Sequence, residues 1–237
     1  MVCEKKSLIH LLVDKFGEKY SEALRIRLET LEDGEIFKWF LASILFGAPI
    51  RETSAIKTYK CFERNNVLSP QGIINAGWGR LVQMLDEGGY TRYDYKTSDK
   101  LLEVAENLIS NYGGSLNTLH ERALDSRDLE KRLMSLAKGV GKTTVAIFLR
   151  ELRGLWSKAD PELSSISSLA ARNLGLTKKE KSREILDELR GLWSRYEVAG
   201  KSFVNFETAL LRLGKDHCKK RRCKKCLFKN YCLKIIA

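Results

Sequence analysis

The sequence predicts an all-α protein. Apolar residues recur at three- and four-residue spacing along nearly the whole chain, while the two-residue alternation of strands is scarce. The segments between these runs are short and carry Gly, Asn or Pro. With 237 residues, 43% of them apolar and only three prolines, the chain can bury a sizeable core. That composition excludes a disulfide-stapled miniprotein, a collagen and a disordered tail.

The elements follow in order. Leu8, Leu11, Leu12 and Phe16 make one helix face, and Ile36, Phe40, Ser43, Ile44 and Gly47 make another. Leu101, Leu102, Val104, Ala105, Leu108 and Ile109 make a third, stopped by Gly113-Gly114. Further helices are expected near 54–65, 70–76, 78–87, 118–124, 127–137, 142–154, 161–173, 178–196 and 203–213, about ten in all by this periodicity. One heptapeptide, Glu-Leu-Arg-Gly-Leu-Trp-Ser, occurs at 151–157 and again at 188–194. Two copies do not make a solenoid. They read as two helix ends, each docking a Trp on the core.

Charge is the first functional signal. Lys and Arg number 42 against 30 Asp and Glu, a net charge of +12. Such a chain attracts phosphate polymers, unless the excess is only a solvated surface. The longest apolar stretch, Trp39 to Ile50, is interrupted by Ser43, Gly47 and Pro49 and is too short to span a bilayer. The N-terminus does not read as a signal peptide. An intracellular, membrane-free protein is expected.

In that setting six cysteines are not read as disulfides. Cys3 and Cys61 are isolated. The other four form Cys218-x4-Cys223-x2-Cys226-x5-Cys232. Four thiolates so close in sequence can hold one zinc ion or one four-iron cluster. The loop also carries Lys219, Lys220, Arg221, Arg222, Lys224, Lys225 and Lys229, a density of charge suited to phosphate contacts. His10, His120 and His217 are scattered, and none receives a role.

Between two helical stretches lies Lys138-Gly139-Val140-Gly141-Lys142-Thr143-Thr144. Two glycines allow a tight turn and present successive backbone N–H groups at the start of the next helix, a phosphate site to which Lys142 adds charge. A plain helical corner is the bland alternative. A nucleotide-binding P-loop is disfavoured. Its first glycine would stand where Leu136 stands, and the preceding segment is charged and helical instead of a buried strand. Further on, Asp160-Pro161-Glu162 has the form of an N-cap, an N1 proline and a first-turn acid.

The turn at 139–141, Asp160 some 18 residues beyond it and the terminal cysteines together resemble the endonuclease III superfamily of helix-hairpin-helix DNA glycosylases. The resemblance covers about residues 35 to 235. It implies a two-lobed all-α fold, with a helical barrel over 36–152 and a second lobe built from 1–35 plus 153–237, and an active cleft between them. It implies an enzyme that flips a damaged or mismatched base out of duplex DNA and breaks its glycosidic bond. By position, Asp160 would be the carboxylate that stabilises the sugar cation or activates water. Gly139, Val140, Gly141, Lys142 and Thr143 would meet DNA at the hairpin, with Lys220, Arg221 and Arg222 meeting it at the cysteine loop. Cys218, Cys223, Cys226 and Cys232 would hold a 4Fe-4S cluster. The last two gaps match the family pattern. The first is two residues short, which leaves zinc open.

Departures from the family narrow the expectation. Where relatives that also cut the strand carry a Schiff-base lysine, this chain has Thr143, so a monofunctional glycosylase is expected. The stretch Leu41 to Ala48 has no acid, which disfavours the adenine-mismatch branch. Arg51, Tyr90, Arg92 and Tyr93 would supply the wedge that fills the vacated base site; the alternative is a surface turn with tyrosines packed at its base. Thymine or uracil opposite guanine, or an alkylated purine, are the expected substrates, acted on by a monomer. A bifunctional glycosylase/lyase using another lysine and a non-catalytic DNA-binding module are the competing readings.

Overall fold

The computed structural model describes residues 2–233, with side chains described from Glu4 onward. The two extremes of the expected second lobe therefore lie outside the described residues. No strand occurs among the described residues, and a single bridge joins Arg153 to Trp156. The protein is all-α. Its helices are α1 (Val2–Phe16), α2 (Tyr20–Ala23), α3 (Asp33–Phe46), α4 (Glu52–Arg64), α5 (Pro70–Gly88), α6 (Asp94–Tyr112), α7 (Leu116–Arg122), α8 (Ser126–Met134), α9 (Lys142–Leu152), α10 (Ser165–Asn173), α11 (Ser182–Arg195) and α12 (Phe203–Leu213).

The chain divides into two compact units. One is contiguous, Leu24–Pro161; the other joins Met1–Ala23 to Glu162–Ala237. The contiguous unit thus runs past the expected limits of 36 and 152 at both ends.

In the contiguous unit α3 is the central helix. Ile36, Phe37, Trp39, Phe40, Leu41, Ala42, Ile44 and Leu45 are all buried, and a helix apolar all round belongs inside a core. Its neighbours are α4, α7 and α9. Polar groups on the buried helix are satisfied locally: the Trp39 indole N–H donates to the Phe148 carbonyl at 3.0 Å, and the Ser43 hydroxyl donates to the Trp39 carbonyl at 2.7 Å. At its C-terminal end, a Cβ on Gly47 would lie 2.4 Å from the Thr144 hydroxyl, so glycine lets the first turn of α9 seat directly on α3.

The sequence places a helix break at 77, and the structure puts it there in a different way. One helical element runs from Pro70 to Gly88, kinked at Gly77, whose φ of 69° and ψ of 167° are non-helical. In the split unit, α1 and α10 both pack on α12. Leu8, Ile9, Leu12, Phe206, Leu210 and Phe228 share its core.

Candidate functional site

The hairpin is built by α8, a tight turn and α9. Leu133, Leu136, Ala137 and Val140 are buried, while Lys138, Gly139, Gly141, Lys142 and Thr143 are exposed. Gly139 has φ of +92°, a conformation that L side chains rarely adopt. Gly141 is the N-cap of α9 and has no side chain with which to accept from the first-turn N–H groups. Those donors are left without a side-chain cap beside the exposed Lys142 and Thr143. Val140 departs from the sequence expectation. Its side chain is in the core and its N–H donates to the Ala137 carbonyl at 3.1 Å, so it closes the turn instead of facing a ligand.

One face of α6, not singled out from the sequence, braces this turn. The Asn107 amide donates to the Leu136 carbonyl at 3.0 Å, and the Lys138 N–H donates to the Glu103 carboxylate at 3.0 Å. The Lys100 Nζ lies 3.5 Å from where a Cβ of Gly139 would stand. Residues 100, 103 and 107 are three and four apart, the spacing of one helix face. Burial lowers the Lys100 pKa from the ordinary lysine value.

Other expected DNA contacts gather at the C-terminal end of α3. Arg51 is exposed and opens α4; Ser54, one turn on, stands next to Gly89. The turn after Gly89 does not carry the wedge as expected. Tyr90 is 1% exposed, and its hydroxyl donates to the Leu45 carbonyl. A ring so placed is a core residue, and burial raises its phenol pKa far above the ordinary value. Of the expected wedge residues in that turn, Arg92 is exposed and Tyr93 half-buried, with the guanidinium 5.8 Å from the Tyr93 ring centre.

Asp160 is not the N-cap of a helix. Residues 158–164 are irregular, and α10 starts at Ser165, where the Ser164 hydroxyl accepts from the Ser167 N–H at 3.0 Å. Asp160 is instead paired with Arg153, which also donates to the Pro161 carbonyl at 2.7 Å. The Arg153 side chain is buried, whereas that of Asp160 keeps 27% of its surface. The result is a carboxylate of fixed orientation with solvent access. Its pairing to the residue that ends α9 sets it at the opposite end of that helix from the hairpin's contacts with α6.

The connecting loop is pinned by side chains that sequence reasoning left without roles. Trp156 stacks on His120 with ring centres 4.6 Å apart, and its indole donates to Asn117 at 3.0 Å. Lys158 donates through Nζ to the His120 carbonyl at 2.9 Å and through its backbone N–H to His120 Nε2 at 3.4 Å.

The cysteine loop continues α12 through a wide turn at Gly214–Cys218 and a 3-10 turn at Cys223–Lys225. Phe228 is fully buried, and the Leu233 N–H donates to the Asn173 carbonyl at 2.7 Å, which ties the loop to α10. No disulfide joins any of the four cysteines. Burial pushes the Cys218 and Cys226 thiols up, and each rises further from the charge of neighbouring cysteines, which for Cys218 are all three others. Opposing this, Asn173 hydrogen-bonds Cys218, and the Phe228 backbone does so for Cys226. Such bonds to sulfur favour thiolates, the form in which cysteines ligate a metal, against the net upward push of burial. No group of three His, Cys, Asp or Glu among the described residues is already arranged around a single metal ion. Lys219, Lys220, Arg221, Arg222, Lys224, Lys225 and Lys229 are all exposed around the loop.

No helix among the described residues is long and apolar enough to cross a membrane. These features define a helical protein with an exposed, glycine-capped hairpin, a fixed carboxylate and a basic four-thiol loop. No protein-family model and no curated protein matches the chain.

Proposed function

We propose that this protein is a DNA base-excision glycosylase of the helix-hairpin-helix kind, acting as a monomer on a damaged or mismatched base in duplex DNA. The observation that carries the reading is the hairpin. Gly139 and Gly141 leave the first N–H groups of α9 uncovered beside Lys142, an anion-binding arrangement in a chain of net charge +12. Asp160 is the catalytic carboxylate in this reading. Held by Arg153 and partly open, it stands against the positive charge that develops on the sugar as the base departs, and orients the attacking water. Cys218, Cys223, Cys226 and Cys232 hold a four-iron cluster, or zinc in its place, which when bound fixes the basic loop for phosphate contact.

Thr143 offers no amine where a lyase lysine would stand, so the enzyme is monofunctional. Thymine or uracil opposite guanine and alkylated purines are the substrate classes of choice. A second reading is a glycosylase/lyase, which requires an amine from elsewhere in the chain to reach the sugar.

The test is base release from duplex oligonucleotides that each carry one lesion or mismatch, with wild type and Asp160→Asn in parallel. Strand scission only after hot alkali, reduced at least about a hundredfold in the variant, is the expected result. Scission without alkali, with a covalent adduct trapped by borohydride, would select the lyase reading. Tight duplex binding with no product on any substrate would leave a non-catalytic DNA-binding module.

A further inference from the structure

Most large side chains in the contiguous unit are inside, but Trp78 is 43% exposed and Tyr95 59%. They are not scattered. Their ring centres are 5.2 Å apart with planes inclined by 41°, a paired aromatic surface open to solvent. The surface is also held in place. The Trp78 indole N–H donates to the Asp99 carboxylate at 2.9 Å, which fixes the indole against α6. The backbone directs it outward: Gly77, with φ of 69° and no atom within 4 Å of an added Cβ, breaks α5 immediately before Trp78. A kink, a hydrogen bond and a ring contact all serve to present two aromatic faces that remain open to solvent.

Position along α6 gives this pair a context. Tyr95 and Asp99 are on the helix whose residues 100, 103 and 107 brace the hairpin. At about 100° per residue, Lys96 lies on that row, whereas Tyr95 projects roughly a third of a turn away from it. About 7 Å of helix rise separates Tyr95 from Lys100. The nearby acids are largely engaged. Asp99 accepts from the indole, while Asp86 and Asp94 face each other, burial and the second carboxyl pushing Asp86 up. Lys96, the neighbour of Tyr95 in sequence, is exposed, as are Arg80 and Arg92.

We infer that Trp78 and Tyr95 form a stacking site for an unpaired nucleobase of the DNA the protein binds. Aromatic faces beside cations bind bases of any sequence, because every base has a π-face. The inference rests on the DNA reading proposed above, but it does not depend on catalysis.

The test uses the full chain and short oligothymidylate as probe. Trp39, Trp156 and Trp193 are buried, so Trp78 is the tryptophan that a stacked base quenches. The expected result is quenching on titration, and weakening of affinity by about tenfold or more in Trp78→Ala, read from the anisotropy of a labelled oligonucleotide. Tyr95→Ala, which keeps the Trp78 signal, should show weaker binding with a smaller quench. The salt dependence should keep its slope, because no phosphate contact is removed. Unchanged affinity in both variants would overturn the site, even if duplex binding through the hairpin persists. Concentration-dependent self-association lost in Trp78→Ala, with no quench, would overturn it in favour of a contact between two copies. Failure of the glycosylase reading looks different: no base release on any duplex, while oligothymidylate still quenches Trp78.

Discussion

At the scale of single residues, the candidate site depends on side chains that no local pattern marks. Asp160 was legible as an acid at a suggestive place, but Asp-Pro-Glu reads as a helix start, and the helix starts later, where Ser164 caps it. A capping motif is only a bid for the backbone, and the buried Arg153 outbids it by taking the Asp160 carboxylate. Tyr90 failed for the opposite reason. Tyrosines crowd the turn after Gly89, and which of them turns inward is decided by the Leu45 carbonyl, 45 residues away in sequence. His120 yields a prediction with a sign. Burial first, then the charge of Lys158, lowers its pKa, against a smaller opposite effect of Glu121. The folded state therefore prefers the neutral ring, whose Nε2 accepts from the Lys158 N–H. Its stabilising contribution is complete above the unfolded value of about 6.5 and is lost as pH falls through the lower folded value. The thermal midpoint should fall between about pH 7 and pH 5, and His120→Gln, which still offers an acceptor, should flatten part of that fall. Equal slopes in the two proteins, measured by thermal unfolding at several pH values, would assign the dependence to other groups.

At the scale of elements, periodicity located the helices well because most of them bury one face, and α3 all of its faces. The repeated heptapeptide marks the limit of that method. In its first copy the helix stops at Leu152 and Gly154 takes φ of +84°. In its second copy the same residues continue inside α11, which runs to Arg195. Identical local propensity gives two structures because Trp156 is drawn to His120 and Asn117, whereas Trp193 packs beside Phe206 without a break in the helix. The hairpin was legible for its glycines, but its brace on α6 was not, since nothing in residues 100–107 signals partners 29 to 39 positions away. The two glycines make separable predictions. Gly139→Ala forces an L side chain to positive φ against Lys100 and should destabilise by about 1–2 kcal/mol. Gly141→Ala meets open space at ordinary φ and should change stability by less than about 0.5 kcal/mol, while its methyl group obstructs the approach to the α9 N–H groups and weakens duplex binding. Thermal unfolding and duplex titration of both variants check this. A Gly141→Ala protein with intact affinity would remove the hairpin from the DNA contact.

At the scale of the whole molecule, the two units reach stability by different routes. The contiguous unit, Leu24–Pro161, has a central apolar helix and builds its core around it. The split unit must also organise the loop at 218–232, where Phe228 is the one fully buried large side chain. Between Lys219 and Lys229 the loop gathers seven exposed cations, while two of its thiols are pushed up by burial and by neighbouring sulfur. A bound cation-rich group would take those thiols as thiolates, so loading with metal should release protons and stabilise the loop together. Protein purified without oxygen should then contain about four irons and equivalent sulfide per chain; one zinc would select the alternative. Cys226→Ser should lower metal content and shift the unfolding that Trp193 fluorescence reports from α11, while the environment of Trp39 and Trp156, in the other unit, changes little. The same variant should also lose affinity for duplex DNA with a shallower salt dependence, because cations on a loosened loop no longer meet phosphates together. If metal is absent from the wild-type protein and Cys226→Ser leaves both unfolding and salt slope unchanged, the four thiols are not a metal site, and the basic loop is held by packing such as that of Phe228 and by bonds such as Leu233–Asn173.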